Sequence, residues 1–186
     1  MSSDKLAIVV LAAGQGKRML SDLPKVLHPV LGEPMIGHVL RQCEALNPAR
    51  VVVVTGHGRA EVEAWIANQS FSCPLEFVEQ VSPRGTGHAM QCAMGLLEGC
   101  DEVLVLYGDV PLLRPSTLSS LLDRGPVVLA FHRGHWCPYC RLNMVGLAEI
   151  QHQAKPVQIV AISTEIQQYT QMLRAEAGAE HDAGEL

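Results

Sequence analysis

No stretch of this sequence stays apolar for the roughly 20 residues that a bilayer-spanning helix needs, so membrane insertion is not expected. The apolar run from Leu6 to Ala13 has no basic segment before it and passes into a glycine turn, not a cleavage site. It therefore reads as a first strand and not as a secretory signal. Basic charge is also scarce. With 14 Lys and Arg against 19 Asp and Glu, the net charge of -5 argues against nucleic acid or anionic lipid as a partner, because both need a basic stripe. Internal repeats and low-complexity tracts are lacking too. A cytoplasmic protein is the expectation. A local phosphate site survives these exclusions, since it needs only a few donors.

What is present suits a globular chain. Hydrophobic residues make up 48% and charged residues 18%, enough apolar material for one domain or two small ones. Cys43, Cys73, Cys92 and Cys100 are scattered singly, and only Cys137 and Cys140 form a CxxC. A reducing compartment disfavours a disulfide framework, so the scattered four read as small apolar side chains.

Short apolar runs alternate with helix-length segments up to about Asp123. Such alternation builds a mostly parallel sheet covered by helices on both faces, an α/β fold in three layers. The strands read as continuous Val, Ile and Leu, as expected when both faces are buried. In the first helix, Met35, Ile36, Val39, Leu40, Cys43 and Leu46 recur at helical spacing behind Pro34, which leaves Arg41, Gln42 and Glu44 toward solvent. Near Arg124-Gly125-Pro126 the pattern breaks, giving regions 1–123 and 124–186. The strand beginning at Pro126 could extend the first sheet at its edge, or the two regions could fold apart.

The strand from Leu6 leads into Gly14-Gln15-Gly16, where absent Cβ atoms let backbone N–H groups approach an anion. A lone GxG after a strand equally fits a tight structural turn. Arg18 and Lys25 follow closely, Lys25 behind Pro24, and two cations beside a glycine turn suit a triphosphate. His28, His38, His57 and His88 read as packing or hydrogen-bonding residues, with His57 between two glycines near the cleft.

The stretch from Leu11 to Met35 resembles the signature of sugar nucleotidyltransferases, in detail the N-acetylglucosamine-1-phosphate uridyltransferase family. Glu79 to Ala89 and Leu104 to Leu113 agree with that family in order and spacing. The resemblance implies a Rossmann-like nucleotidyltransferase fold and transfer of uridylyl from UTP to N-acetylglucosamine-1-phosphate, giving UDP-N-acetylglucosamine, a cell wall precursor, and pyrophosphate. It also implies site roles. Leu11, Ala12, Ala13, Gly14 and Gly16 would cradle phosphates, and Gln80, Gly85 and Thr86 would hold uracil. Lys25 would meet the α-phosphate, Arg18 the leaving pyrophosphate, and Asp109 would bind Mg²⁺. No organic cofactor is implied. Beyond Asp123 the family's acceptor segments and second metal ligand have no counterpart, so the resemblance implies UTP or UDP-sugar binding more firmly than turnover.

From Gly125 onward, a strand, the WCPYC turn, a helix and a second strand resemble the peroxiredoxin and thioredoxin-like group, of the alkyl hydroperoxide reductase and thiol-specific antioxidant type. That resemblance implies a partial β-α-β-α segment in which Cys137 or Cys140 attacks and the other resolves, served by a thiol reductant. Which cysteine is the nucleophile stays open. A zinc site from His132, His135, Cys137 and Cys140 is disfavoured by crowding. A fusion of two partial domains, neither activity complete, would also account for both resemblances.

Overall fold

The computed structural model describes residues 6–82, 84–123, 125, 127–132 and 158–163. β1 (Leu6–Leu11) opens the chain, followed by a two-residue hairpin of β2 (Pro29–Val30) and β3 (Glu33–Pro34). Then come α1 (Met35–Ala45), β4 (Arg50–Thr55), α2 (Arg59–Ala67), β5 (Leu75–Glu79), α3 (Thr86–Ala93), β6 (Glu102–Tyr107) and α4 (Pro115–Leu122). Four strands pair in the order β5-β4-β1-β6, all parallel.

That order follows from short right-handed crossovers. The path β1 to β4 to β5 moves outward in one direction, which puts α1 and α2 on one face. From β5 the chain returns past β1 to lay down β6, which puts α3 on the other. On the α3 side, Ala89, Ala93 and Leu97 pack with Ala7, Val9, Val52 and Val54. The alternate residues Ile8, Val10, Val51 and Val53 are just as fully buried, as a strand covered on both faces requires. Sealing each Val, Leu or Ile in this way contributes about 1.5–3 kcal/mol before chain entropy is counted.

The outer strands depart from the continuous-burial expectation. Val103 on β6 is 42% exposed, because β6 has a partner on one side only within this sheet. α1 departs in detail as well. Pro34 stands just before the helix as its N-cap, where its missing N–H costs nothing. Arg41 is exposed as expected, but Gln42 and Glu44 are half-buried. Gln42 donates to the Pro111 carbonyl, and Glu44 accepts from Ser72 Oγ at 2.8 Å. Both partners come from loops that helical periodicity cannot reveal.

The chain divides into two compact units, Met1–Leu118 and Ser119–Leu186. Within the second, β7 (Val127–His132) and β8 (Gln158–Ser163) pair parallel, from Val127 opposite Gln158 to His132 opposite Ser163. Within this unit the two strands form a two-stranded sheet in the order β7-β8. Cys137, Cys140 and His135 lie outside the described residues. No helix among the described residues is long and apolar enough to cross a membrane.

Candidate functional site

The strand order reverses between β1 and β6, and a crevice opens there at the carboxyl ends, where parallel α/β sheets collect ligands. A cleft of about 470 Å³ occupies this position. Leu11 to Gln15 form one wall. Ala12 N–H donates to the Val54 carbonyl at 2.8 Å, which carries sheet pairing one residue past β1 before the chain releases at Gly14. Gly14 is exposed, and its missing Cβ faces open space.

Gly16 has a different task. Its φ of 63° is left-handed, and a Cβ there would stand 2.7 Å from Lys25 Cβ. Gly16 thus lets Lys25 pass close beneath the loop but does not line the cleft. Lys25 itself is anchored from both sides, by buried Pro24 before it and buried Val26 and Leu27 after it. Leu27 N–H closes the turn on the Pro24 carbonyl at 2.8 Å.

Opposite Lys25, Gly108 N–H donates to the Leu11 carbonyl at 2.9 Å and places Asp109 on the cleft wall. Lys25 Nζ and Asp109 Oδ2 form an ion pair, with side chains 34% and 28% exposed. Such partly screened pairs contribute about 1 kcal/mol or less. The pair is thus easily exchanged for other charged partners.

The third wall is the β5–α3 segment. Gln80 is buried there with its side-chain amide on the Gly85 carbonyl, and Thr86 begins α3 beside it. Gly85, at a left-handed φ of 94°, makes the corner between them. Leu11, Ala12, Ala13, Gly14, Lys25, Gln80, Gly85, Thr86 and Asp109 are therefore brought together on one cleft. Arg18 is not. It lies exposed in a single helical turn, Lys17–Met19, bracketed by left-handed Gly16 and Leu20, outside the cleft lining.

Sequence reasoning missed Tyr107, Gln15 and Glu79, which also line the cleft. Tyr107 ends β6 in register with Leu11 and so reaches the same rim. Glu79 immediately precedes Gln80, and that adjacency was the available signal. Its carboxylate is held by Arg59, whose other arm donates to Glu63 at 2.7 Å. The hydrogen bonds to Glu79 and then to Glu63 push the Arg59 guanidinium above its ordinary value. His57 lines the cleft from its exposed turn, whereas His38 Nε2 sits 2.8 Å from the Val30 carbonyl and is structural. Cys43 is fully buried, and burial raises its thiol well above the usual range, as befits a packing residue.

A family model, the MobA-like NTP transferase domain, matches residues 8–182. The chain belongs to this family. The match to the MobA-like NTP transferase domain runs past residue 124, across the segment with the CxxC. The bifunctional protein GlmU of Cupriavidus taiwanensis is 54% identical over 115 residues, covering 62% of this chain and 24% of that protein. The chain thus spans about a quarter of the length of the curated relatives it matches. Among solved structures, a nucleotidyl transferase from Methanothermobacter is 25% identical with a TM-score of 0.57, covering 70% of this chain and 63% of that one. The UTP-bound UGPase of Acinetobacter baumannii shares the fold, with a TM-score of 0.56 at 21% identity over 69% of this chain and 57% of that one.

Proposed function

We propose that the cleft binds UTP with a divalent cation and transfers its uridylyl group to a sugar-1-phosphate, N-acetylglucosamine-1-phosphate in the reading closest to GlmU. The observation that carries this is the convergence of Lys25, Asp109 and the Leu11–Gly14 loop at the strand-order reversal. Chain segments far apart in sequence supply a cation, an anion and open backbone to one crevice. The GlmU likeness, and the UTP held by the Acinetobacter neighbour, agree with that choice of ligand.

The donor set fits a cation that arrives on the triphosphate. Among the described residues no three His, Cys, Asp or Glu side chains are grouped to hold a metal by themselves. A hard cation such as Mg²⁺ needs only one or two carboxylates when phosphate oxygens complete its shell, and Asp109 offers one. Bound there, Mg²⁺ would neutralise phosphate charge.

The remaining work belongs to the chain. Backbone from Leu11 to Gly14 orients the phosphates, and Lys25 stabilises charge growing on the α-phosphate as a sugar-phosphate oxygen attacks it and pyrophosphate leaves. Gln80, Gly85 and Thr86 hold the base. Arg18 would reach the pyrophosphate only if the 14–23 loop folded inward from its exposed position. No protein nucleophile and no organic cofactor enter. A product of this kind is a cytoplasmic cell wall precursor.

The test is pyrophosphate release from UTP and N-acetylglucosamine-1-phosphate with Mg²⁺, run beside calorimetric titration of Mg-UTP. Saturable UTP binding is expected. Its absence would sink the reading, and binding without release would confine it to recognition.

A second reading concerns residues 124–186 as a separate thiol-active region. The parallel pairing of β7 with β8, with the WCPYC sequence falling between them in the chain, supports it. Fusion of two partial domains, neither activity complete, is the corresponding proposal for the whole chain.

A further inference from the structure

Against Gln80 on this wall lies a polar side chain that none of the roles above uses, His88. Gln80 is 6% exposed, and its backbone N–H donates to the Thr55 carbonyl at 2.8 Å. Its side-chain Nε2 lies 3.0 Å from the Gly85 carbonyl oxygen and 3.0 Å from His88 Nδ1. A carbonyl can only accept, so the amide must present nitrogen on that side. The second amide hydrogen then goes to Nδ1, which leaves the imidazole proton on Nε2.

Arg84 Nη2 also lies 3.0 Å from His88 Nε2. A neutral imidazole accepts at one nitrogen only, and a guanidinium only donates, so the two contacts cannot both be hydrogen bonds. The buried one prevails. Exposed Arg84 can turn to water, whereas a buried amide hydrogen left unpaired loses its partner outright.

With both amide hydrogens spent, Gln80 has only Oε1 left to offer. That oxygen has no hydrogen-bond partner among the described residues, and it is not one of the sealed unpaired atoms, which are His28 Nε2 and Gln42 Oε1. It therefore stands as an acceptor on the cleft wall.

We infer that His88 is a positioning residue for base selection: it consumes the amide hydrogen of Gln80 that would otherwise serve the N3 lone pair of cytosine. Oε1 is then left to accept from the N3–H of a uracil-type base. This rests on the uridine-nucleotide reading of the cleft. His88 touches no ligand in this scheme and acts through Gln80 alone.

Calorimetric titration of the full chain with Mg-UTP, Mg-CTP and tripolyphosphate tests it. The parent should prefer UTP. His88→Leu should lower the UTP-to-CTP affinity ratio about tenfold, the usual worth of one well-placed hydrogen bond. His88→Asn keeps an acceptor near the Nδ1 position and should retain the ratio. His88→Gln carries its polar end to the Nε2 position and should lose the ratio as His88→Leu does, so the test survives a misfolded leucine variant. In a Gln80→Ala background, His88→Leu should change nothing further, and tripolyphosphate affinity should be the same throughout.

A parental ratio in both His88→Leu and His88→Gln would overturn the inference, as would an equal His88→Leu effect with Gln80 absent. A parent that binds neither nucleotide, or that prefers CTP, would instead overturn the uridine reading, and this one with it.

Discussion

Lys25 and Asp109, 84 positions apart in the chain, form an ion pair across the cleft that opens between β1 and β6. Each satisfies the charge that the other would direct at a ligand. A nucleotide with its cation would exchange this pair for two new ones, phosphate on Lys25 and metal on Asp109. Exchange of this kind costs little, because a partly exposed pair contributes about 1 kcal/mol or less.

Asp109→Asn should therefore separate the two roles. Freed from its partner, Lys25 should bind metal-free UTP at least as well as the parent does, while the gain in affinity on adding Mg²⁺ should disappear. Lys25→Met should weaken UTP about tenfold or more with and without metal, as expected for loss of a charge-assisted hydrogen bond. Titrations in chelator and in Mg²⁺ check this. Equal Mg²⁺ gains in the parent and in Asp109→Asn would remove Asp109 from metal binding.

Burial raises the Cys43 thiol from the ordinary value of 9.0, and it raises Cys73 in the same direction. Above that pH the unfolded chain loses these protons while the folded chain keeps them. The unfolded state then binds fewer protons, so stability falls as pH rises, by up to about 1.4 kcal/mol per pH unit for buried Cys43 and by less for partly exposed Cys73. Below about pH 8 neither thiol contributes. Urea unfolding midpoints from neutral to alkaline pH should decline more steeply in the parent than in Cys43→Ala. Parallel declines would contradict the burial argument.

If residues 124–186 carry thiol chemistry, a hydroperoxide should be consumed when a dithiol reductant is supplied. One cysteine would take oxygen to form a sulfenic acid, the other would displace water to form the disulfide, and the reductant would restore both thiols. The double variant Cys137→Ser with Cys140→Ser should be inactive while UTP binding stays at the parental level. Peroxide consumption that survives in the double variant would end this reading.

Much of the first unit was legible in the sequence because its signals are local. The Val51–Val54 run and the Leu6–Leu11 run are too apolar to lie anywhere but between two covered faces, and both are sealed except at Leu11, which lines the cleft. The segments around Gly14, Gln80 and Asp109 each stood out for residues that a plain core strand would not need. Gln42 was misplaced because its partner, the Pro111 carbonyl, comes from a loop 69 positions away. Arg18 was placed with Lys25 by proximity in sequence, yet the left-handed residues at 16 and 20 set its turn outside the cleft.

The sequence alone determined the alternation of strands and helices, the α/β class and the short list of polar residues at strand ends, since hydrophobic period and turn chemistry are properties of neighbouring residues. Tertiary structure decided which of those residues meet. The order β5-β4-β1-β6 brings Asp109 to Lys25, and the corner at Gly85 turns His88 onto Gln80. Strand order and side-chain pairing are long-range outcomes of packing both sheet faces at once, and no local pattern in the chain encodes them.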